Sequence, residues 1–208
     1  SAYDEERSSG LLGANSTADG LAASLTLVAQ PRADAPGWRL QAWARESDMS
    51  NSFVSVAPGR NTTTPASVQD ETPAFGWGAN AALRWSNAEI GVDVRAADGE
   101  TRERFNYSGG TFLRSRVAGG ETLSAGAYAE GWRELGDTLV SGGVRLDWWQ
   151  ASEGQRLERL IATGAPTLNV EAEDREILTP NARVGLRHDF GSPYARAAAY
   201  AGFRPPTL

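Results

Sequence analysis

The sequence predicts an all-β fold made of antiparallel transmembrane β-barrel strands. Three observations predict it: strands with one apolar and one polar face, connections that alternate between short and long, and aromatic residues beside the short connections. Outer-membrane barrels show each of these features. The chain contains no apolar run near the length of about 18 to 20 residues that a membrane helix needs, so the sequence excludes a helical membrane protein.

The clearest pair of strands surrounds a turn at Ser86 and Asn87. Every odd position from Phe75 to Trp85 is apolar, whereas the even positions carry Gly, Asn, Ala and Arg. After the turn the alternation resumes as far as Ala96, with charged residues on the polar face. A period of two predicts a strand with one apolar and one polar face.

The same alternation recurs along the chain and gives about eight strands in all. The other six segments are 21–27, 38–45, 123–130, 140–149, 181–187 and 194–202. Their apolar positions are thinned by Ala and Gly, and the chain holds 23 Gly. The core of a soluble sandwich would need bulkier residues, so the composition favours the membrane barrel.

Connection length assigns each joint to a side of the membrane. Short joints lie near 30–37, 86–87, 133–137 and 190–193, and long polar stretches lie near 48–73, 98–120 and 152–176. Outer-membrane barrels have short periplasmic turns and longer extracellular loops. The alternation therefore predicts that the first strand starts outside and the last strand ends outside, near Phe203. Complete barrels normally have both termini in the periplasm, so we expect an internal piece of a larger barrel.

Four aromatic residues stand beside the predicted periplasmic turns: Trp38, Trp85, Trp132 and Tyr194. Barrels carry aromatic girdles at this level. Aromatic residues also favour strands in general and pack in soluble sandwich cores. We favour the girdle because the aromatic residues follow the turns.

The net charge and the Cys and His content limit the partners and the catalytic or metal sites that the chain can have. The formal net charge of −6 argues against nucleic acid as a partner, because phosphate binding needs a basic face. The chain has no Cys and one His, His188, on the apolar parity of its strand near a turn. No catalytic constellation forms around it, so we expect no enzyme activity, no catalytic residues, no cofactor and no metal site.

Two of the long stretches carry aromatic residues that a solvated loop does not need. They are Phe53 with Arg60, and Phe105 with Tyr107 and Phe112. Binding residues concentrate on loops held by a rigid scaffold, so these five are the candidate ligand contacts. The alternative is that they pack against neighbouring loops or form an outer aromatic girdle.

Polar residues on the strands are expected to face the lumen and to form ion-pair ladders across neighbouring strands. They are Arg84, Asp93, Arg95, Glu130, Arg145, Asp147, Arg183 and Arg187.

The segment 194–208, YARAAAYAGFRPPTL, resembles the mid-barrel stretch of TonB-dependent outer-membrane receptors. In that family an aromatic-rich strand runs into a Gly-Phe-Arg-x-Pro-Thr-Leu motif. The matching residues here are Gly202, Phe203, Arg204, Pro206, Thr207 and Leu208. Pro205 stands where many members have Ala, and segment 181–189 is similar to the strand that precedes the motif, with His188 in place of Tyr.

The resemblance implies that residues 1–208 are part of one receptor β-barrel domain of about 22 strands, with the plug domain and the C-terminal strands absent. It implies a place in the outer membrane of a Gram-negative bacterium, in contact with outer-membrane lipid. The whole receptor would bind a scarce solute through its extracellular loops, such as a ferric siderophore, cobalamin or an oligosaccharide, and would meet TonB through the missing plug. A passive porin or small structural barrel, and a soluble all-β binding module, are the alternatives.

Overall fold

A computed structural model describes residues 1–32 and 35–202, and these form eleven β-strands. The strands are β1 (Ala2–Ser8), β2 (Asn15–Ala29), β3 (Gly37–Val56), β4 (Thr63–Glu71), β5 (Ala74–Arg84), β6 (Ala88–Ser108), β7 (Thr111–Leu135), β8 (Thr138–Leu160), β9 (Pro166–Glu171), β10 (Arg175–Asp189) and β11 (Tyr194–Ala201). In this part of the chain no helix is long and apolar enough to cross a membrane.

The described strands form a single antiparallel sheet in the order β1-β2-β3-β4-β6-β7-β8-β10-β11. β4 and β5 share one position, because both lie between β3 and β6 and are separated only at Thr72 and Pro73. In the same way β9 and β10 both pair with β8. When β4 with β5 and β9 with β10 are each counted as one interrupted strand, the strands lie beside their neighbours in sequence, as in a meander.

The eight predicted strands are the central parts of β2, β3, β5, β6, β7, β8, β10 and β11, and the predicted all-β, antiparallel fold is confirmed. The prediction of long loops at 48–73, 98–120 and 152–176 is wrong, because most of these residues belong to strands. β6 and β7 stay paired as far as Ser108 and Thr111, and only Gly109 and Gly110 connect them. Both faces of these segments are polar, so the alternation stops although the backbone pairing continues.

The predicted first strand, 21–27, lies in β2 and runs from the side of the long connections to a short turn as predicted, but the structure adds a strand before it. β1 precedes the predicted first strand and pairs with β2 from Ala2 opposite Leu21 to Ser8 opposite Asn15. It runs toward the side of the long connections, antiparallel to β2. Its sequence, AYDEERS, has no apolar alternation that would mark it as a strand.

Two parts of the sheet are named here. The belt consists of the segments next to the short turns, namely 21–29, 37–46, 74–84, 88–98, 121–135, 138–152, 175–189 and 194–201. The extension consists of the segments beyond them, namely 2–20, 47–71, 99–120 and 153–171. Register shifts lie near the boundary in two pairings, between Gly119 and Glu121 of β7 and between Gln69 and Glu71 of β4.

One face of the belt is apolar and open. A single row of apolar side chains crosses six strands of the belt, and it consists of Leu27, Leu40, Ala81, Val92, Ala127 and Leu146. Many of the large side chains on this face are more than half exposed, for example Leu25 at 61% and Val144 at 62%. The opposite face carries the polar residues of the alternation.

The described residues form almost no apolar core. Their buried hydrophobic side chains are Ala14, Ala82 and Trp149. The accessible surface is 14285 Å², whereas a compact protein of this mass would expose about 9,400 Å². This sheet lacks the second apolar layer that a soluble β-sandwich requires.

Candidate functional site

The apolar face of the belt has the dimensions of a bilayer core. On β5 and its turn, the segment from Phe75 to Trp85 is eleven residues long, and the ten steps between its ends span about 33 Å along the strand. A strand tilt of about 40° converts this length into about 25 Å of height, which is the apolar band of outer-membrane barrels. Trp38 and Trp85 lie at the turn end of this face, and Phe75 and Trp77 lie at the other end, all partly exposed.

The structure corrects two of the predicted girdle residues. Trp132 and Tyr194 lie on the polar face, where the Arg84 guanidinium stands 5.1 Å from the Trp132 ring and that of Arg187 stands 4.8 Å from the Tyr194 ring. Both residues have the opposite parity to the apolar positions of their strands, so nearness to a turn did not determine their face.

His188 is on the apolar face at the turn end, as its parity predicts. Its ring packs edge-on against Phe190, with 4.4 Å between the ring centroids. Its Nδ1 atom lies 2.7 Å from the Thr138 hydroxyl. His188 therefore occupies a structural position in the aromatic rim.

On the polar face of the belt, the residues predicted to form ladders make three ion pairs between strands, as predicted, and three between residues two positions apart on one strand. Arg145 bridges Asp93 at 2.7 Å and Asp147 at 2.6 Å, and the Asn181 amide donates to Asp147 at 2.8 Å. The remaining predicted residues form pairs as well. These pairs are Arg84 with Glu89, Arg95 with Asp93, Arg183 with Glu130, and Arg187 with Asp189.

A cleft of about 860 Å³ opens on this polar face beside the ion pairs. It is lined by Glu89, Tyr128 and Glu130, among others. The Tyr128 hydroxyl donates to Glu89 at 2.6 Å, and the Tyr128 ring covers Gly91. A Cβ atom at Gly91 would lie 2.5 Å from the Tyr128 ring. The ring therefore fits in this position because residue 91 has no side chain.

The five candidate ligand residues all lie in the extension or its tips, but the structure brings only some of them together. Phe53 of β3 and Phe105 of β6 both stand opposite Ser67 of β4, so they share a face. Two strand spacings, or about 10 Å, separate their backbones. Arg60 lies apart at the β3–β4 tip, where its φ is 60°.

Tyr107 and Phe112 pack against each other at the β6–β7 tip, with 5.1 Å between their ring centroids. Asn106, between Phe105 and Tyr107, has a φ of 60°. The Arg104 guanidinium lies 5.5 Å from the Phe112 ring. Tyr107 and Phe112 therefore contact each other within one hairpin.

The same face as Phe105 carries a charged cluster that the sequence analysis missed, hereafter the inner cluster. Its members are Glu103, Phe105, Arg114, Arg116, Arg156 and Glu158. The Arg116 guanidinium donates to Glu103 and to Glu158, each at 3.0 Å, and lies 4.5 Å from the Phe105 ring. Charged residues at 114 and 116, and at 156 and 158, show a period of two that marks a shared face.

Glu158 is the centre of the inner cluster. Glu158 is 6% exposed, and its carboxylate also accepts hydrogen bonds from Arg156 at 2.6 and 3.1 Å. The Arg156 hydrogen bonds, followed by those of Arg116, lower the pKa of Glu158 despite its burial. The carboxylate is therefore held ionised among arginines.

The opposite face of the extension carries a second charged group, hereafter the outer cluster. Its members are Asp70, Glu71, Glu100, Arg102 and Arg104. Arg102 pairs with Glu71 at 2.5 Å and with Glu100 at 2.6 Å, and Arg104 pairs with Asp70. Three carboxylates and two guanidiniums give this group a formal charge of −1, whereas the three arginines and two glutamates of the inner cluster give +1.

The described part of the family motif is small. Gly202 is exposed after β11, and Phe203, Arg204, Pro206, Thr207 and Leu208 lie outside the described residues. The structure gives no test of the motif as a site.

Comparison with known proteins supports the fold. No protein-family model matches the sequence, and no curated protein matches it. The structure is similar to the crystal structure of the ferric citrate transporter FecA in the unliganded form, with a TM-score of 0.53 and 13% sequence identity. The likeness covers 91% of this chain but 28% of that chain, so this chain spans little more than a quarter of the transporter. At this identity the likeness shows a β-barrel type of fold and nothing finer.

Proposed function

We propose that this chain is part of the wall of an outer-membrane TonB-dependent transporter that takes up a scarce solute. One observation carries the proposal: the belt exposes an apolar face about 25 Å high with aromatic residues at both ends, while its charged residues lie on the other face. Apolar patches on soluble monomers seldom exceed a few hundred Å². Lipid is the solvent that such a face fits.

The position of the extension supports an orientation in the membrane. Barrels place their longer connections outside the cell, and the extension lies on one side of the belt only. The inner and outer clusters would then stand in external water, and the ion pairs around Arg145 would face the lumen. Residues 1–208 would belong to one barrel domain, and a plug domain elsewhere in the protein would contact TonB.

The solute is proposed from the fold likeness and from the resemblance of segment 194–208. FecA is a ferric citrate transporter, which supports a ferric siderophore as the solute class. Cobalamin or an oligosaccharide would use the same kind of barrel. Outer-membrane lipid and the solute would be the partners of this chain, and no enzymatic step is proposed.

Location and uptake test the proposal separately. The full-length protein should fractionate with the outer membrane and should migrate faster on a gel before heating than after, because folded barrels resist detergent. A soluble or inner-membrane location would contradict the proposal.

Uptake of a ferric siderophore by cells that contain the protein should stop when TonB is deleted. Persistence of uptake would favour a passive porin.

A hairpin truncation tests the assignment of the extension. Residues 105–114 can be replaced by an Asn-Gly turn, because Arg104 and Ser115 face each other across β6 and β7. The variant should assemble normally, since the belt register is untouched, but uptake should be lost. A control variant carries a scrambled sequence of the same ten residues at 105–114, so that the length of the hairpin is unchanged. Unchanged uptake by the truncated variant would exclude the β6–β7 tip from solute capture.

A further inference from the structure

We propose that the apolar face of the belt binds a lipid whose head group carries an ammonium group. Its acyl chains would lie in a groove of this face, and its head group would meet a row of carboxylates where the belt joins the extension. The inference rests on the proposed function for its lipid environment. It assigns the class of head group that this wall selects.

A groove of about 710 Å³ crosses the middle of the apolar face. Small side chains of β3, β5 and β7 line its centre, namely Ala42, Ala79, Ala81, Ala125 and Ala127. Larger side chains flank it on both sides, namely Leu25 and Leu27 of β2 and Leu146 and Trp148 of β8. A flexible aliphatic chain can follow this groove and contact its walls along its length.

A row of carboxylates crosses the same face where the belt meets the extension, hereafter the acidic row. Its members are Glu46, Asp98 and Glu121, which are all exposed. Glu46 and Asp98 stand opposite Phe75 on its two sides, and Glu121 stands opposite Asp98. Four residues separate Phe75 from Ala79 in the groove, or about 13 Å along the strand. One leaflet of hydrocarbon is about 15 Å deep, so one lipid can reach both features.

The surroundings of the acidic row are strongly negative. In the part of the chain that the structure describes, a cavity of about 1130 Å³ over this row is lined by nine acidic residues and one basic residue, Arg102. Arg102 is already paired with Glu71 and Glu100. The charge of this region therefore complements a cationic head group and opposes an anionic one.

Like charges also face each other across neighbouring strands here. Asp98 is directly opposite Glu121, and Asp4, Asp19 and Asp48 are directly opposite one another on β1, β2 and β3. Such pairs destabilise a sheet. A cation on this face would relieve the repulsion, whereas a lipid phosphate without a counter-charge would add to it.

The continuity of the two features favours a lipid over a free cation. The acidic row and the groove lie on one face of the same strands, β3, β5, β6 and β7. An ammonium group donates hydrogen bonds to carboxylates, but a free ammonium ion would leave the groove unused. An ammonium-bearing lipid fits both features at once.

Spin-label spectroscopy of the full-length protein in phosphatidylcholine vesicles tests the inference. The probes are lysyl-phosphatidylglycerol and phosphatidylglycerol with the same labelled acyl chains, so that they differ only in the lysyl group. We expect lysyl-phosphatidylglycerol to associate about threefold to tenfold more strongly than labelled phosphatidylcholine, and phosphatidylglycerol to associate no more strongly than phosphatidylcholine. Added salt should reduce the preference.

Two sets of substitutions separate the acidic row from the groove. Glu46→Gln with Asp98→Asn and Glu121→Gln should lower the association of lysyl-phosphatidylglycerol to that of phosphatidylcholine. Ala81→Phe with Ala127→Phe fills the groove and leaves the carboxylates in place. This second variant should lower the preference by about twofold or more, because part of the chain contact is lost.

Glu134→Gln with Asp137→Asn is the control, because it removes carboxylates beside a short turn at the other end of the belt. It should behave like the parent protein, and heat-dependent gel mobility identifies any variant that has not folded. Equal or stronger association of phosphatidylglycerol, or an unchanged preference in either variant, would overturn the inference. If the protein resides in the outer membrane and imports its solute, such a result refutes the lipid site alone. A protein found elsewhere refutes the proposed function.

Discussion

β6 and β7 pass through both the belt and the extension, and the two parts of these strands differ in their side chains. The backbone register is the same throughout, from Ala88 opposite Gly131 to Ser108 opposite Thr111. In the belt one face is apolar, as at Val92, whereas in the extension both faces are charged, as at Arg102 and Glu103. Strand pairing does not require the apolar pattern. The pattern instead reports which medium each face meets.

The largest expected effect comes from a charge on the apolar face of the belt. Val92 is 55% exposed and lies in the middle of that face. Val92→Arg should lower the free energy of unfolding by about 2 to 4 kcal/mol if lipid covers this face. Leu113→Arg, at an exposed position of the extension, should change it by less than about 0.5 kcal/mol. Urea unfolding in lipid vesicles measures both, and equal effects would show that the belt is not in lipid.

Removing the central carboxylate of the inner cluster should have the next largest effect. Glu158→Gln loses charge-assisted hydrogen bonds to Arg116 and Arg156 and leaves three guanidiniums close together. The local cost should be about 1.5 to 3 kcal/mol. Amide hydrogen exchange should accelerate at residues 114–116 and 156–160, with the belt unchanged. Faster exchange in the belt as well would mean that the two parts unfold as one unit.

A smaller effect is expected from Gly91→Ala in the belt. The added Cβ would lie 2.5 Å from the Tyr128 ring, so the ring must move and its hydrogen bond to Glu89 must weaken. We expect a loss of about 1 kcal/mol in the free energy of unfolding. Gly76→Ala is the control, because its Cβ would meet nothing closer than 3.5 Å. Equal stability of the two variants in urea would show that Tyr128 yields without cost.

The smallest expected effect is the pH dependence of the extension. The pKa of Glu158 is lower in the folded protein than its ordinary value of 4.5. Its contribution to stability is therefore complete above pH 4.5 and is lost as the pH falls through the folded-state pKa. Amide protection at residues 156–160 should fall in that acid range, after correction for the intrinsic exchange rate. Glu158→Gln should remove this dependence, and an unchanged acid profile in that variant would assign it to another group.

The sequence predicted the belt well because its strands alternate between an apolar and a polar face. Leu27, Leu40 and Val92 stand on the expected face, and Arg145 forms the expected ion pairs. The prediction failed for Trp132 and Tyr194, where nearness to a turn was given more weight than parity. A count of odd and even positions would have placed both on the polar face.

The extension was harder to predict because both of its faces are largely polar. Without an apolar face, β4 and β9 left no period-two hydrophobic signal, and their segments resembled loops. Phe105 was identified as a candidate contact, but Arg116 and Glu158 were not, since their meeting depends on strand register. A shift between Glu158 and Arg159 in the pairing with β9 is one irregularity that a pattern of residue types does not reveal.

The two-residue tip at Gly109 and Gly110 has a consequence for the entropy of binding. A flexible loop must lose backbone freedom when it closes on a solute, at about 1 to 2 kcal/mol for each residue that becomes fixed. Phe105 and Arg114 face each other within a paired ladder, so their backbones are ordered before any solute arrives. Under the proposed function, a solute captured at this hairpin would lose its own freedom and little of the protein's, which would leave more of the contact energy for affinity.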